Sequence, residues 1–90
     1  MSNSPEGLSE ETRLLIERIT KALVDLPNAV VITMMTSAHS AIFTICVAPS
    51  DVGKLIGKRG VHADALRRII YAVSGKHRLR YVVEIADPQQ

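Results

Sequence analysis

Gly53-Lys54-Leu55-Ile56-Gly57-Lys58-Arg59-Gly60 is the stretch on which the rest of the chain turns. An apolar pair runs into a glycine, two bases follow, and a second glycine precedes a helical pattern. Glycine tolerates positive φ and lets another backbone come close. Gly57 and Gly60 around Lys58 and Arg59 therefore imply a tight turn with two cations at its tip. The amides opening the next helix face the same place, and a helix N-terminus offers free N–H groups and the positive end of a dipole. The stretch suits an anion, and a phosphate backbone above all. A bare G-x-x-G also serves as a plain basic connection between helices, with the glycines needed for geometry alone. The flanking sequence has to separate the two.

On the C-terminal side, Ala63, Leu66, Ile69, Ile70 and Val73 form the apolar stripe of a helix from about Gly60 to Ser74, with Gly75 as its expected C-cap. Leu79, Tyr81, Val83 and Ile85 then alternate with polar or smaller residues, the pattern of a half-buried strand. On the N-terminal side, Ser50 or Asp51 is placed to cap a short helix that carries Val52, Leu55 and Ile56, and Pro49 ends what precedes it. Two β-rich runs come before that, Ala29 to Thr36 and Ala41 to Val47. The short turn Ser37-Ala38-His39-Ser40 predicts that they pair as an antiparallel hairpin. Further back, Ser9 is a good N-cap with Glu10 and Glu11 in the first turn. Thr12, Leu15, Ile16, Ile19, Ala22, Leu23 and Leu26 recur at helical spacing until Pro27. Glu17 and Lys21, four apart, suit an exposed ion pair. Residues 1–8 read as a polar, disordered tail, 9–86 as one domain and 87–90 as a short C-terminal tail.

The element order is thus α-β-β-α-α-β. The helix pair between the second and third strands acts as a crossover, so those strands pair in parallel. The expected fold is an α+β domain, a three-stranded mixed sheet with three helices on one face.

Composition narrows the function classes. Ninety residues make one domain, and 47% apolar residues suffice for a modest core. The net charge of +2 is unevenly placed. Residues 1–48 carry three Lys/Arg against five Asp/Glu, and residues 49–90 carry eight against four. The excess of cations on the C-terminal half points to an anionic partner there. Cys46 is the only cysteine, so neither an internal disulfide nor a thiolate zinc cluster is available. With no signal-peptide pattern, the expectation is a reducing cytoplasm, and no apolar run is long enough to span a bilayer.

Val52-Gly53-Lys54-Leu55-Ile56-Gly57-Lys58-Arg59-Gly60, followed by Ala65-Leu66-Arg67, resembles the signature of a KH domain: a hydrophobic residue, Ile, then Gly-x-x-Gly between two helices. The extra helix and strand on the N-terminal side match the type II arrangement. Size, element order and Asp51-Val52-Gly53-Lys54 are similar to the small stand-alone bacterial KH RNA-binding proteins of the KhpA type. The resemblance spans Leu15 to Ile85 and makes 9–86 a KH domain. It implies that Gly57, Lys58, Arg59 and Gly60 clamp about four nucleotides of a single-stranded RNA backbone. It also implies that Val52, Leu55 and Ile56, with apolar residues of the adjacent strand, form the groove floor on which bases lie. Lys54, four residues before Lys58, joins the set as a phosphate contact, and Arg67 as a further RNA-binding residue. The aromatic residues Phe43, Tyr71 and Tyr81 are too few and too scattered for recognition by stacking platforms alone. Where members of the group carry another base just after the loop, this chain has Val61-His62, and Asp64 is spaced to pair with Arg67 or Arg68.

The remaining candidates carry less. Lys76-His77-Arg78 with Arg80 forms a second basic patch, read either as cations at a helix C-terminus or as an additional RNA contact. His39, His62 and His77 lack companion ligands at metal spacing, so no metal and no cofactor is expected. The serines sit in caps and turns without the His and acid that nucleophilic catalysis needs, and G-x-x-x-x-G-K-[ST] is absent, so the chain is not expected to be an enzyme. Two functions follow. The first is a single-stranded RNA-binding module acting as an RNA chaperone or as a post-transcriptional or ribosome-associated regulator. The second is an assembly subunit that uses the same fold as a dimerisation or ribosome-docking scaffold. Ala29 to Met35 carries no charge, which is unusual at a sheet edge and predicts a homodimer or a heterodimer with another KH protein.

Overall fold

β-branched and aromatic residues in alternation build the sheet. The computed structural model describes residues 4–86. In it β1 (Val31–Thr36) pairs antiparallel with β2 (Ser40–Cys46), and β2 pairs in parallel with β3 (Arg80–Ile85), in the order β1-β2-β3. The register sets Met34 opposite Phe43 and Phe43 opposite Val83. Ile32, Ala41, Phe43, Ile45 and Val83 therefore point to one face and are buried there. Phe43 meets Tyr81 edge to face, with ring centroids 5.2 Å apart. The turn between β1 and β2 is closed by Ser37 N–H donating to Ser40 O at 2.9 Å, and the two hydroxyls lie 2.6 Å apart.

Three helices cover that face: α1 (Pro5–Leu23), α2 (Val52–Ile56) and α3 (Val61–His77). This is the α+β arrangement of the expected order, a mixed three-stranded sheet with the helices on one side. α1 starts five residues before the expected place. Ser4 is its N-cap, accepting a hydrogen bond from Gly7 N–H at 3.1 Å, Pro5 occupies the first turn and Glu6 faces the positive dipole end. Residues 5–8, expected in the tail, are helical. The rest of the two expected tails, residues 1–3 and 87–90, lies outside the described residues. Ser9, the expected cap, is instead buried on the inner face of α1 with Thr12, Ile16 and Thr20. Leu15 and Leu26, assigned to the buried stripe from spacing, are exposed. Threonine can replace leucine here because each hydroxyl is satisfied within the helix. Thr12 Oγ1 donates to Leu8 O at 3.0 Å and Thr20 Oγ1 to Ile16 O at 2.8 Å. The expected Glu17–Lys21 pair forms at 2.8 Å, and its hydrogen bond holds the Glu17 carboxyl below the ordinary carboxylate range.

α1 ends at Leu23, not at Pro27, because Val24 turns extended and is buried. What secures this corner is Asp51. Its side chain is 1% exposed and makes no cap bond to α2. It accepts from Asp25 N–H at 3.1 Å and from Leu26 N–H at 2.9 Å. The residue expected as a helix cap thus ties the end of α1 to the start of α2. At the other end of the chain, α3 runs through Gly75 to His77, and Arg78 supplies the left-handed C-cap at φ 58°. His77 Nδ1 and the Tyr81 hydroxyl, 2.9 Å apart, connect this last turn to β3 and offset the roughly 1 kcal/mol that the left-handed arginine costs.

Candidate nucleic-acid interface

The turn between α2 and α3 is built from three residues in the left-handed half of conformational space. Gly57 has φ 79° and ψ 170°, Arg59 φ 58° and ψ 25°, and Gly60 φ 77° and ψ 15°. Gly60 N–H closes it by donating to Gly57 O at 3.0 Å. Lys58 and Arg59 are thereby displayed at the tip, both exposed. Neither has an ion-pair partner among the described residues. No side chain caps the amino end of α3. Val61 N–H is taken by Lys58 O, and the following amides of the first turn open α3 directly after the two cations, a place where an anion is the complementary ligand.

His62 holds this corner together. Its Nδ1–H donates to Lys54 O at 2.8 Å, joining the first turn of α3 to α2. The imidazole lies against Gly57, where a Cβ would sit 2.6 Å from His62 Cγ and 2.9 Å from His62 N. At Gly60 an added Cβ would meet nothing within 4 Å. The two glycines therefore differ. Gly57→Ala combines a conformation reserved for glycine with a collision and is expected to cost about 3 kcal/mol. Gly60→Ala meets only left-handed strain and is expected to cost about 1 kcal/mol. Urea titrations of the two variants check this; equal losses would contradict the assigned role of His62.

Beside the loop, a groove runs between the helices and β3. Its first part, about 390 Å³, is floored by Val52, Ile56, Ala63 and Ile85, with Gly60 at its mouth. Its second part, about 690 Å³, continues along α3 and β3, and Asp64 and Arg67 line both. The outer edge of β3 forms one wall. Arg80 and Ala86 donate their N–H groups to His39 O and Ile45 O on the β2 side, each at 2.9 Å. Backbone groups of successive strand residues point to opposite edges, so those of Tyr81, Val83 and Ile85 face the groove. Arg67 Nε donates to Val83 O across it at 3.3 Å.

The structure brings most of the anticipated residues to this place. Gly57, Lys58, Arg59 and Gly60 form the turn, Val52 and Ile56 lie on the floor, and Arg67 spans the groove. Leu55 does not join them: it is fully buried in the core and supports α2 from below. Lys54 turns away to Asp25, with Nζ 3.4 Å from Oδ2. Asp64 makes no ion pair with Arg67 or Arg68 among the described residues. The anticipated basic patch at 76–80 is divided, since His77 serves Tyr81 while Arg80 faces the groove. Ile85 supplies the apolar strand contribution expected on the floor, while Ala63 and Ala86 were missed there, as were Arg68 and Tyr71 on the wall. Asp64, Arg67, Arg68 and Tyr71 stand at i, i+3, i+4 and i+7, the spacing of one helix face, and that was the available signal.

A glycine turn with two free cations, set between two helices and opening onto an apolar groove beside a strand edge, is the arrangement of a KH domain. The KhpA/KhpB KH-domain family model matches residues 13–85. This chain belongs to that family. Among similar proteins, the RNA-binding protein KhpA of Clostridium acetobutylicum is 46% identical over 71 residues, covering 79% of this chain and 95% of the relative. KhpA of Caldanaerobacter subterraneus subsp. tengcongensis is 44% identical, also over 71 residues, with the same two coverages of 79% and 95%. KhpA of Treponema pallidum is 42% identical over 73 residues, covering 81% of this chain and 91% of the relative. No solved structure matches at a significant level. The family is a non-enzymatic class. No helix among the described residues is long and apolar enough to cross a membrane.

Proposed function

We propose that this KH domain binds single-stranded RNA, with the Gly57–Gly60 turn as backbone clamp and the adjoining groove as base site. The observation that carries this is the pair of cations, Lys58 and Arg59, which have no ion-pair partner among the described residues and are held at a left-handed turn before the start of α3, where no side chain caps the helix. Phosphates meet the cations and the free N–H groups. Bases then lie over Val52, Ile56 and Ile85, with the open edge of β3 offering donors and acceptors to their Watson–Crick edges. Arg67 orients what enters the groove, and Leu55 and Lys54 support α2 from behind. The names of the relatives, RNA-binding proteins, agree with this function. We place the protein in the cytoplasm as an RNA chaperone or as a post-transcriptional or ribosome-associated regulator.

One observation favours a second function, assembly with another KH chain. β1 is a sheet edge without charge, and on the face that the helices leave open Met35 is 74% and Val31 54% exposed. Pairing would also join two short grooves, one at each outer β3 edge, in one assembly and raise avidity. One experiment separates the two functions. An unstructured oligonucleotide and a hairpin stem of equal length are titrated at matched salt while light scattering reports the mass. At least tenfold preference for the single strand is expected, because a duplex keeps base edges paired. Equal affinity for both would refute the groove. Indifference to RNA together with a concentration-dependent mass would favour the scaffold.

A further inference from the structure

Beyond Arg67 the groove does not close. It widens into the part of about 690 Å³ between the outer face of α3 and the free edge of β3. Three arginines border it, Arg67 and Arg68 from α3 and Arg80 from β3, against one acid, Asp64. None of the three is in an ion pair among the described residues. Arg67 is already engaged with Val83 O, which leaves Arg68 and Arg80 as the free cations. Tyr71 lines the same part from the helix side, three residues after Arg68, and is 79% exposed. A tyrosine that buries neither ring nor hydroxyl contributes little to the fold. Next to two unpaired arginines it is a ready face for a planar, anion-bearing ligand.

We infer that this compartment is a second RNA subsite, holding nucleotides that continue past those in the clamp, with a base stacked on Tyr71 and phosphates met by Arg68 and Arg80. The inference rests on the clamp function proposed above and extends it. Continuity favours RNA over an acidic peptide strand: Asp64 and Arg67 line both parts, so a chain lying in the first part is led into the second. Arg67 then acts as a divider. Its bond to Val83 O narrows the groove between the subsites and sets where one nucleotide position ends and the next begins.

The test is the length dependence of binding. Uridine oligomers of four, six, eight and ten nucleotides are titrated into the full chain and followed by NMR chemical shifts and fluorescence anisotropy. The variants are Tyr71→Ala and the pair Arg68→Gln with Arg80→Gln. These positions are exposed, and circular dichroism verifies that the fold is retained. The wild type is expected to tighten about tenfold or more between four and eight nucleotides. Both variants are expected to hold the four-nucleotide oligomer within about twofold of wild type and to lose most of the gain with length. The salt slope for the eight-mer is expected to fall by about 1.4 in the double variant, from two phosphate contacts at about 0.7 each on a single strand. A length dependence identical in wild type and variants overturns the second subsite while leaving the clamp standing. Absence of binding at every length overturns both. Saturable binding of an acidic extended peptide, lost in the double variant while the RNA length dependence is unchanged, overturns the subsite and assigns the compartment to a protein strand.

Discussion

Lys58→Asp with Arg59→Asp is expected to weaken binding of an unstructured single-stranded RNA by more than about a hundredfold near 0.1 M salt. Each cation near a phosphate contributes between about 1 and 4 kcal/mol, depending on how much water screens the pair. Reversal also adds repulsion of the same kind, so two positions together exceed the roughly 2.8 kcal/mol that a hundredfold change represents. Both side chains are exposed and neither makes an ion pair among the described residues, so little of the fold depends on them. Exposed substitutions of this kind change stability by about 0.5 kcal/mol or less. Aspartate is also among the side chains enriched in the left-handed conformation that Arg59 adopts at φ 58°. Gel-shift titration beside a melting curve checks the expectation. An unchanged melting temperature with affinity retained within threefold would sink the clamp.

Asp51→Ala is expected to lower stability as much as the Gly57→Ala collision does. The carboxylate is buried and is the acceptor for the N–H groups of Asp25 and Leu26. A hydrogen bond to a charged group is worth about 1.5–3 kcal/mol, and a donor left without a partner adds a penalty of its own where water cannot reach it. Asp25 and Leu26 are themselves exposed, which lets water replace part of what is lost. The expected cost is about 2–4 kcal/mol, or a drop in melting temperature of roughly 10–20 °C for a domain of this size. Asp51→Asn retains the shape but sets an amide N–H₂ against one of the two donors, so it should recover only part of the loss. A cost below about 1 kcal/mol for the alanine variant, measured by urea unfolding, would contradict this account. The consequence for binding is indirect: Asp51 anchors the start of α2, and α2 runs directly into Gly57, the first glycine of the turn.

Much of this was legible without coordinates because it depends on periodicity and on glycine. The alternation of Phe43 and Ile45 with Thr44 and Cys46 specifies which face of β2 is inside. A crossover of two helices requires β2 and β3 to run parallel. Gly57 and Gly60 announce a turn that other residues adopt at a cost. The start of α1 differs from the Ser9 cap that the pattern offers because Ser4 caps as well and Pro5, at the start of a helix, loses only an N–H that had no partner. Gly75 looked like a stop, yet the helix continued because His77 reaches Tyr81 and Arg78 adopts the left-handed cap.

The order of elements and the cationic glycine turn thus follow from the sequence by itself, since each rests on periodicity or dihedral limits local to a few residues, and the mixed sheet follows from that order through the handed crossover that a helix pair imposes. Tertiary structure alone decided which side of α2 meets solvent. Leu55 and Ile56 are adjacent and equally apolar, but packing against the sheet takes Leu55 into the core and leaves Ile56 to the groove. It also decided the task of Asp51, because its two donors lie 25 and 26 residues away in the chain. The division of the groove by Arg67 was decided there too, by a bond to Val83 that exists only once α3 lies beside the free edge of β3.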